Sequence, residues 1–382
     1  MSKRKDRRFR WALVAAALVI ASATGLAAPA NAQSDSQPGD LVRLDALPVG
    51  WGGMDRGYKL TYRTVALDGR PTTATGLIFL PDGHAPDGGW PIVAWDHGTN
   101  GLAPRCGLTS SAGAPYDAPA LRRVNRAGYA AVAPDYLGLS PESPGVHPYQ
   151  NTRTEATVTI DLVRAARRAF ADLSTRWAVM GVSQGGGAAL STGHLAATYA
   201  PELDFRATAA LAPASHIEQL MRLARPGMPA VPALNGMTGV VAAVLAGMSA
   251  NSSGFDIGSY LPPEGRRIVA EISTRCVAEW PATVGDRSLG ELLARPLDDP
   301  AALAFLHAYL AIPTGGYRQP VFIGQGVADT SVPLPLTLAL LAEFAAAGTR
   351  YEFATFDADH DTIMGDGFDA GLRFVQRALN AN

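Results

Sequence analysis

The pentapeptide Gly181-Val182-Ser183-Gln184-Gly185 constrains this 382-residue chain more than any other stretch. Before it, Arg176 to Met180 reads as a short buried strand. After it, Gly186-Gly187-Ala188-Ala189-Leu190 opens a helix that runs to about Tyr199. A strand that passes through G-x-S-x-G straight into a helix must turn so tightly that the serine needs small neighbours, and its hydroxyl is pushed out above the sheet. Glycine at 181 and 185 removes the Cβ atoms that would collide there. A purely structural Gly-Ser turn is the bland alternative. The flanking strand and helix favour Ser183 as a nucleophile.

The chain begins with a segment set apart from any fold. Lys3, Arg4, Lys5, Arg7, Arg8 and Arg10 precede an apolar run from Trp11 to Ala28, and Ala30-Asn31-Ala32 forms a small-residue cleavage site before Gln33. The apolar run is interrupted by Ser22, Thr24 and Gly25, which favours a removed secretory signal (residues 1–32) over a membrane anchor. Removing its six bases and one acid from 32 and 34 leaves 26 and 33, a formal −7. That balance excludes nucleic acid and anionic membrane surfaces as obvious partners. In an oxidising compartment two cysteines, Cys106 and Cys276, favour one disulfide. No Cys/His cluster accompanies either, so no metal is expected.

Strand-like and helix-like segments alternate through most of the chain, the pattern of an α/β protein with a mostly parallel sheet. Residues 57–65 and 72–80 read as an antiparallel pair around Asp68-Gly69. Strands are expected at 91–96, 129–133, 207–211, 320–323 and 351–356, and helices at 118–127, 154–173, 336–347 and 368–379. Between about 213 and 317 the alternation stops. That stretch, rich in Ala, Met, Pro and Gly, reads as a largely helical cap inserted over the carboxyl edge of the sheet. The core then comprises 33–212 and 318–382. The apolar run Val240 to Met248 within the insertion is an ordinary buried helix, the lining of an acyl tunnel, or a face that opens in transient contact with a lipid interface.

A serine hydroxyl needs an imidazole base, and the base needs a carboxylate that fixes its tautomer. On a sheet of this kind they follow in the order serine, acid, histidine. Beyond the elbow's neighbourhood and the start of the insertion the histidines are His307, in a helix-like segment, and His360, in the loop Asp357-Ala358-Asp359-His360-Asp361 after the last strand. Catalytic groups belong on loops at the carboxyl ends of strands, which selects His360. Asp329, on the Gly-rich turn after the strand at 320–323, is the expected acid. Asp357, Asp359 and Asp361 compete, but neighbours on one loop seldom reach the far side of the ring. Their spacing also resembles a calcium loop, yet Thr362 and Phe368 stand where that loop needs glycine and glutamate. The developing oxyanion needs two preset N–H donors, expected from the backbone of Gln184 and of Thr99, after the His97-Gly98 strand end.

At this point the residues resemble the secretory lipase family of α/β-hydrolases. The matching pieces are Asp96 to Cys106, Asp135 to Leu139, His147-Pro148-Tyr149, Gly181 to Gly187, and Gly326-Val327-Ala328-Asp329 with Val332-Pro333. The resemblance implies an α/β-hydrolase fold, a triad of Ser183, Asp329 and His360, a cap before the acid-bearing strand, and a Cys106–Cys276 bridge. It also implies carboxylic esters, acylglycerols among them, as substrates. Gly107-Leu108-Thr109 departs from the Ala-Pro-Ser that yeast members tend to carry there, so finer substrate preference does not transfer.

The leading expectation is an exported serine esterase or lipase working without a cofactor. A serine peptidase or acyl-aminopeptidase-like hydrolase is the second, disfavoured because no propeller-like repeat precedes the hydrolase portion. A non-catalytic binding protein on the same fold is the third, disfavoured because such proteins lose a triad member.

Overall fold

The computed structural model describes residues 37–110, 117–230, 235–252 and 254–381. The expected secretory signal, 1–32, lies outside them. Among the described residues nine strands form one sheet in the order β1-β2-β3-β5-β4-β6-β7-β8-β9. They are β1 (Leu41–Ala46), β2 (Gly57–Val65), β3 (Pro71–Phe79), β4 (Trp90–Asp96), β5 (Ala130–Pro134), β6 (Leu173–Val182), β7 (Asp204–Leu211), β8 (Val321–Gly326) and β9 (Tyr351–Phe356). The first three pair antiparallel, as does β3 with β5, and every pairing from β5 through β9 is parallel.

Parallel strands need covered faces, and the period-2 alternation supplies two apolar ones. In β4, Val93 and Trp95 join a cluster with Leu121 and Val124 of α1 (Asp117–Arg126) and Phe368, Leu372 and Val375 of α10 (Asp366–Asn380). Ile92 and Ala94 point to the other face and meet Val158 and Leu162 of α2 (Thr152–Ala169) and Ala189 of α3 (Gln184–Tyr199). Farther along that face α9 (Leu334–Ala346) packs Leu340, Leu341 and Phe344 on Val321 and Ile323. α2 is fixed at its start by Asn151, whose side chain accepts from the Thr154 N–H, an N-cap worth about 1 kcal/mol.

The largest departures from the sequence expectation are in α2 and at the sheet edge, and β6 and β7 each begin three residues earlier than expected. α2 ends at Ala169 rather than at 173, because Phe170 turns extended (φ −135°, ψ 112°) and packs its ring 5.0 Å from Tyr58. Leu173 is already in β6, opposite Trp90. β1 was not expected at all. It is a mostly exposed edge strand with Val42 and Leu44 in solvent, so no alternation of burial marks it.

Helices α4 (Ile217–Leu223), α5 (Asn235–Asn251), α6 (Pro263–Ile272), α7 (Trp280–Val284) and α8 (Pro300–Leu310) occupy the stretch where alternation stops. They gather around an apolar cluster of their own. Of the run Val240 to Met248, Val241 to Met248 sit at its centre almost wholly buried, as in an ordinary core helix, while Val240 is only partly buried. A disulfide joins Cys106 to Cys276, closing a separation of 170 residues. Beside it the Leu102 N–H donates to the Arg275 carbonyl and the Val277 N–H to the Asn100 carbonyl, so the loop after β4 is both bridged and hydrogen-bonded to this helical layer.

Candidate active site

The register of the parallel strands sets the line on which the site is built. Asp96 of β4 lies opposite Gly181 of β6, Val182 opposite Leu211 of β7, Leu211 opposite Gly324 of β8, and Gly326 opposite Phe356 of β9. Loops leaving these carboxyl ends therefore start level with one another. They carry Thr99 after β4, Ser183 after β6, Asp329 after β8 and His360 after β9.

At the elbow Ser183 has φ 57° and ψ −119°, a conformation an L-residue adopts only when its surroundings hold it there. The glycines are required sterically. A Cβ on Gly185 would lie 1.9 Å from the Asp96 carbonyl oxygen, and one on Gly181 would lie 2.1 Å from the carbonyl oxygen of Gly185. The serine hydroxyl meets His360, with Oγ 2.9 Å from Nε2. On the ring's other side Nδ1 is 2.8 Å from Oδ2 of Asp329. A carboxylate only accepts, so Nδ1 carries the proton of the neutral ring and Nε2 is left to take the serine's.

The Asp329 side chain is fully buried, and hydrogen bonds fix it. Its Oδ1 accepts from the N–H groups of Ser331 and Val332, each at 2.8 Å. Its Oδ2 accepts from the Gln325 side chain at 3.2 Å, and Gln325 is itself held by the Thr337 hydroxyl and the Val332 carbonyl. The acid and histidine loops are laced together, the Val327 N–H donating to the Phe356 carbonyl and the Ala328 N–H to the Ala358 carbonyl. Of the competing acids, Asp359 caps its own turn by accepting from the N–H groups of Asp361 and Thr362. His307 lies in α8, with no part in this cluster.

A cavity of about 820 Å³ opens over Ser183 and His360. Thr99 lines it, with its hydroxyl 2.8 Å from that of Tyr149, whose ring in turn meets Trp280 edge-on at 5.6 Å. Ile217, Leu220, Met237, Val240, Trp280 and Val284 form the apolar wall, so α5 reaches the cavity only through its first turns. Gln184 is the first residue of α3, where the backbone N–H groups have no partner within the helix.

Over residues 109–380 the sequence matches the family described as Secretory lipase. The chain belongs to that family. No curated protein matches it. Solved structures with the same fold include Candida antarctica lipase A, with a TM-score of 0.74 and 19% identity over 90% of this chain and 82% of that one. The ligand-bound rice cell wall degrading esterase LipA from Xanthomonas oryzae gives 0.67 and 18%, covering 90% and 99%. A hydrolase described as putative from Legionella pneumophila gives 0.67 and 21%, covering 85% and 89%. At these identities the likeness shows the α/β-hydrolase fold. Family membership makes this chain an ester hydrolase, and the family's description and the disulfide both suit an exported protein.

Sequence reasoning assigned no role to several residues around the site. Gln325 and Thr337, which hold the acid, stand in no recognisable pattern. Glu155 and His147, which meet the Gln184 side chain, lie 29 and 37 residues from it. Among the described residues no group of His, Cys, Asp and Glu is arranged to hold a metal.

Proposed function

We propose that this secretory lipase cleaves carboxylic esters through Ser183, His360 and Asp329 by way of an acyl-enzyme. The observation that carries the reading is the unbroken relay of 2.9 and 2.8 Å from hydroxyl to imidazole to carboxylate. His360 takes the proton of Ser183 as Oγ attacks the ester carbonyl. The amides of Thr99 and Gln184 hold the resulting oxyanion. Collapse of the adduct expels the alcohol, which leaves with the proton from Nε2. Water then attacks the acyl-enzyme, giving its proton to the same nitrogen, and the acid departs as Ser183 regains its hydrogen. Asp329 keeps the ring in one tautomer and stabilises its cationic form.

The cavity supports an uncharged ester with an apolar acyl group. Its carboxyl and imidazole lining residues are Asp117, Asp286, Asp361 and His360, and among the described residues no lysine or arginine lines it. The helices between 213 and 317 serve in this reading as a cap, and removal of residues 1–32 accompanies export. Ser183→Ala should abolish p-nitrophenyl butyrate hydrolysis with the melting temperature near that of the parent. Retained turnover would end the proposal.

A further inference from the structure

Beneath the elbow lies a buried polar group that the steps above do not use. The Gln184 side chain points away from the cavity into the protein, where its Nε2 is 2.7 Å from Oε1 of Glu155 and 2.8 Å from Nε2 of His147. All three residues are almost completely buried. His147 Nδ1 lies 3.0 Å from the Leu137 carbonyl, which only accepts, so that nitrogen carries the ring proton and Nε2 is an acceptor. Burial lowers the His147 pKa to about 3, which keeps the ring neutral. Burial likewise pushes the Glu155 carboxyl up to about 8, with Asp96 adding to the shift, so at neutral pH it is an uncharged acid. The two hydrogens of the Gln184 amide thus meet one acceptor each, and the fork is filled.

The supports of this fork are themselves held by further contacts. Glu155 sits in the first turn of α2, behind the Asn151 cap. His147 stacks on Tyr136, whose ring also stacks on His97 and whose hydroxyl donates to the His97 carbonyl. The strand end that carries Thr99 and the turn that carries Gln184 therefore rest on one buried platform.

We infer that Glu155 and His147 are positioning residues for the reaction, holding the Ser183–Gln184 peptide so that its N–H faces the developing oxyanion. The inference rests on the proposed role of Gln184 above. Ser183 has an unfavourable backbone conformation, and the peptide that follows it is held on its carbonyl side by the N–H groups of Gly186, Gly187 and Ala214 and on its other side by the Gln184 side chain. Turning that peptide removes one oxyanion donor. A side chain pinned at two points on separate elements opposes the turn, and a preset donor must be held to within about 0.5 Å to be useful.

The test compares the parent with Glu155→Ala, Glu155→Gln and Gln184→Met on p-nitrophenyl butyrate, with a butyl boronic acid as a tetrahedral mimic. Glu155→Ala should lower kcat about 10- to 100-fold, below the roughly 10²- to 10³-fold of losing a donor outright. KM should stay within about two-fold, and the boronate inhibition constant should rise by the same factor as kcat falls. Glu155→Gln keeps an acceptor oxygen and should restore turnover to within about three-fold. Gln184→Met keeps the backbone N–H but has no side-chain donor, so it should reproduce the alanine variant and carries the test should that one not fold. Overturning results are a kcat unchanged in both Glu155→Ala and Gln184→Met, or a loss shared equally by kcat, melting temperature and the Gln variant. Either would leave the role of Ser183 standing. Turnover surviving in Ser183→Ala would remove that role and this inference together.

Discussion

Ser183 and the pair His360 and Asp329 are positioned by opposite physical means. Ser183 is held by exclusion. Glycines at 181 and 185 let backbone approach backbone at distances no Cβ survives, and the serine is forced into a conformation it would not choose. Asp329 and His360 are held by attraction: two backbone N–H groups, the Gln325 amide and the lacing between the loops after β8 and β9. Steric positioning fails all at once, through the fold. Positioning by hydrogen bonds fails in degrees, through the rate.

Asp329→Asn separates the two most widely. The asparagine fits the same space but leaves Nδ1 facing the wrong partner, so kcat should fall about 10⁴-fold with the fold intact. Steady-state kinetics together with near-UV circular dichroism would check it, and a fall accompanied by unfolding would break the distinction. Gly185→Ala should do the reverse. Its Cβ would meet the Asp96 and His97 carbonyls, neither able to retreat, at a cost of about 4 kcal/mol or more. Thermal melting and soluble yield read this out, and a stable, merely slower Gly185→Ala enzyme would contradict steric positioning.

Those two substitutions also mark what a sequence can disclose. Exclusion leaves a local trace, because glycine at two fixed offsets around a serine is visible without any fold. The order of serine, acid and histidine and the alternation of strand and helix were legible for the same reason: each is a pattern along the chain. Gln325, Thr337 and Glu155 act by contacts between distant segments, and nothing in their neighbours announces them, while His147 stands in the family-like His147-Pro148-Tyr149, which does not disclose what it touches. The edge strand β1 was invisible because its exposed side chains carry no alternation. The run Val240 to Met248 was ambiguous because apolarity alone does not say whether a helix is covered by protein or by substrate. The packing covers Val241 to Met248 with protein and leaves Val240 at the cavity wall.

Covalent tethering adds a third means, intermediate in effect. Replacing Cys106 and Cys276 by serine should cost about 2–5 kcal/mol, as expected for so long a loop. The loop after β4 keeps its hydrogen bonds to Arg275 and Val277, so activity at low temperature should survive. Denaturant melts and assays at 10 °C would check both halves. A variant equally stable but inactive would show that the bridge positions Thr99 directly.

The smallest expected effect concerns the buried acids. Burial raises Glu155 and Asp96 to about 8 in the folded protein, and in the unfolded chain they titrate near 4. Between those values the folded state binds more protons. The stabilisation from keeping these groups neutral is therefore complete at acid pH and is lost as pH rises through about 8. Glu155→Gln should flatten the decline in melting temperature between pH 5 and pH 8 by at most one proton's worth. A slope identical to the parent's would mean that Glu155 is ionised in the folded protein.

The most direct measurement is the site of an organophosphate adduct. Treated with a fluorophosphonate, the protein should gain one phosphonyl group, located by peptide mass mapping on Ser183, at a rate that collapses in Asp329→Asn. No adduct, or one on a different residue with esterase activity lost in step, would contradict the assignment of the nucleophile.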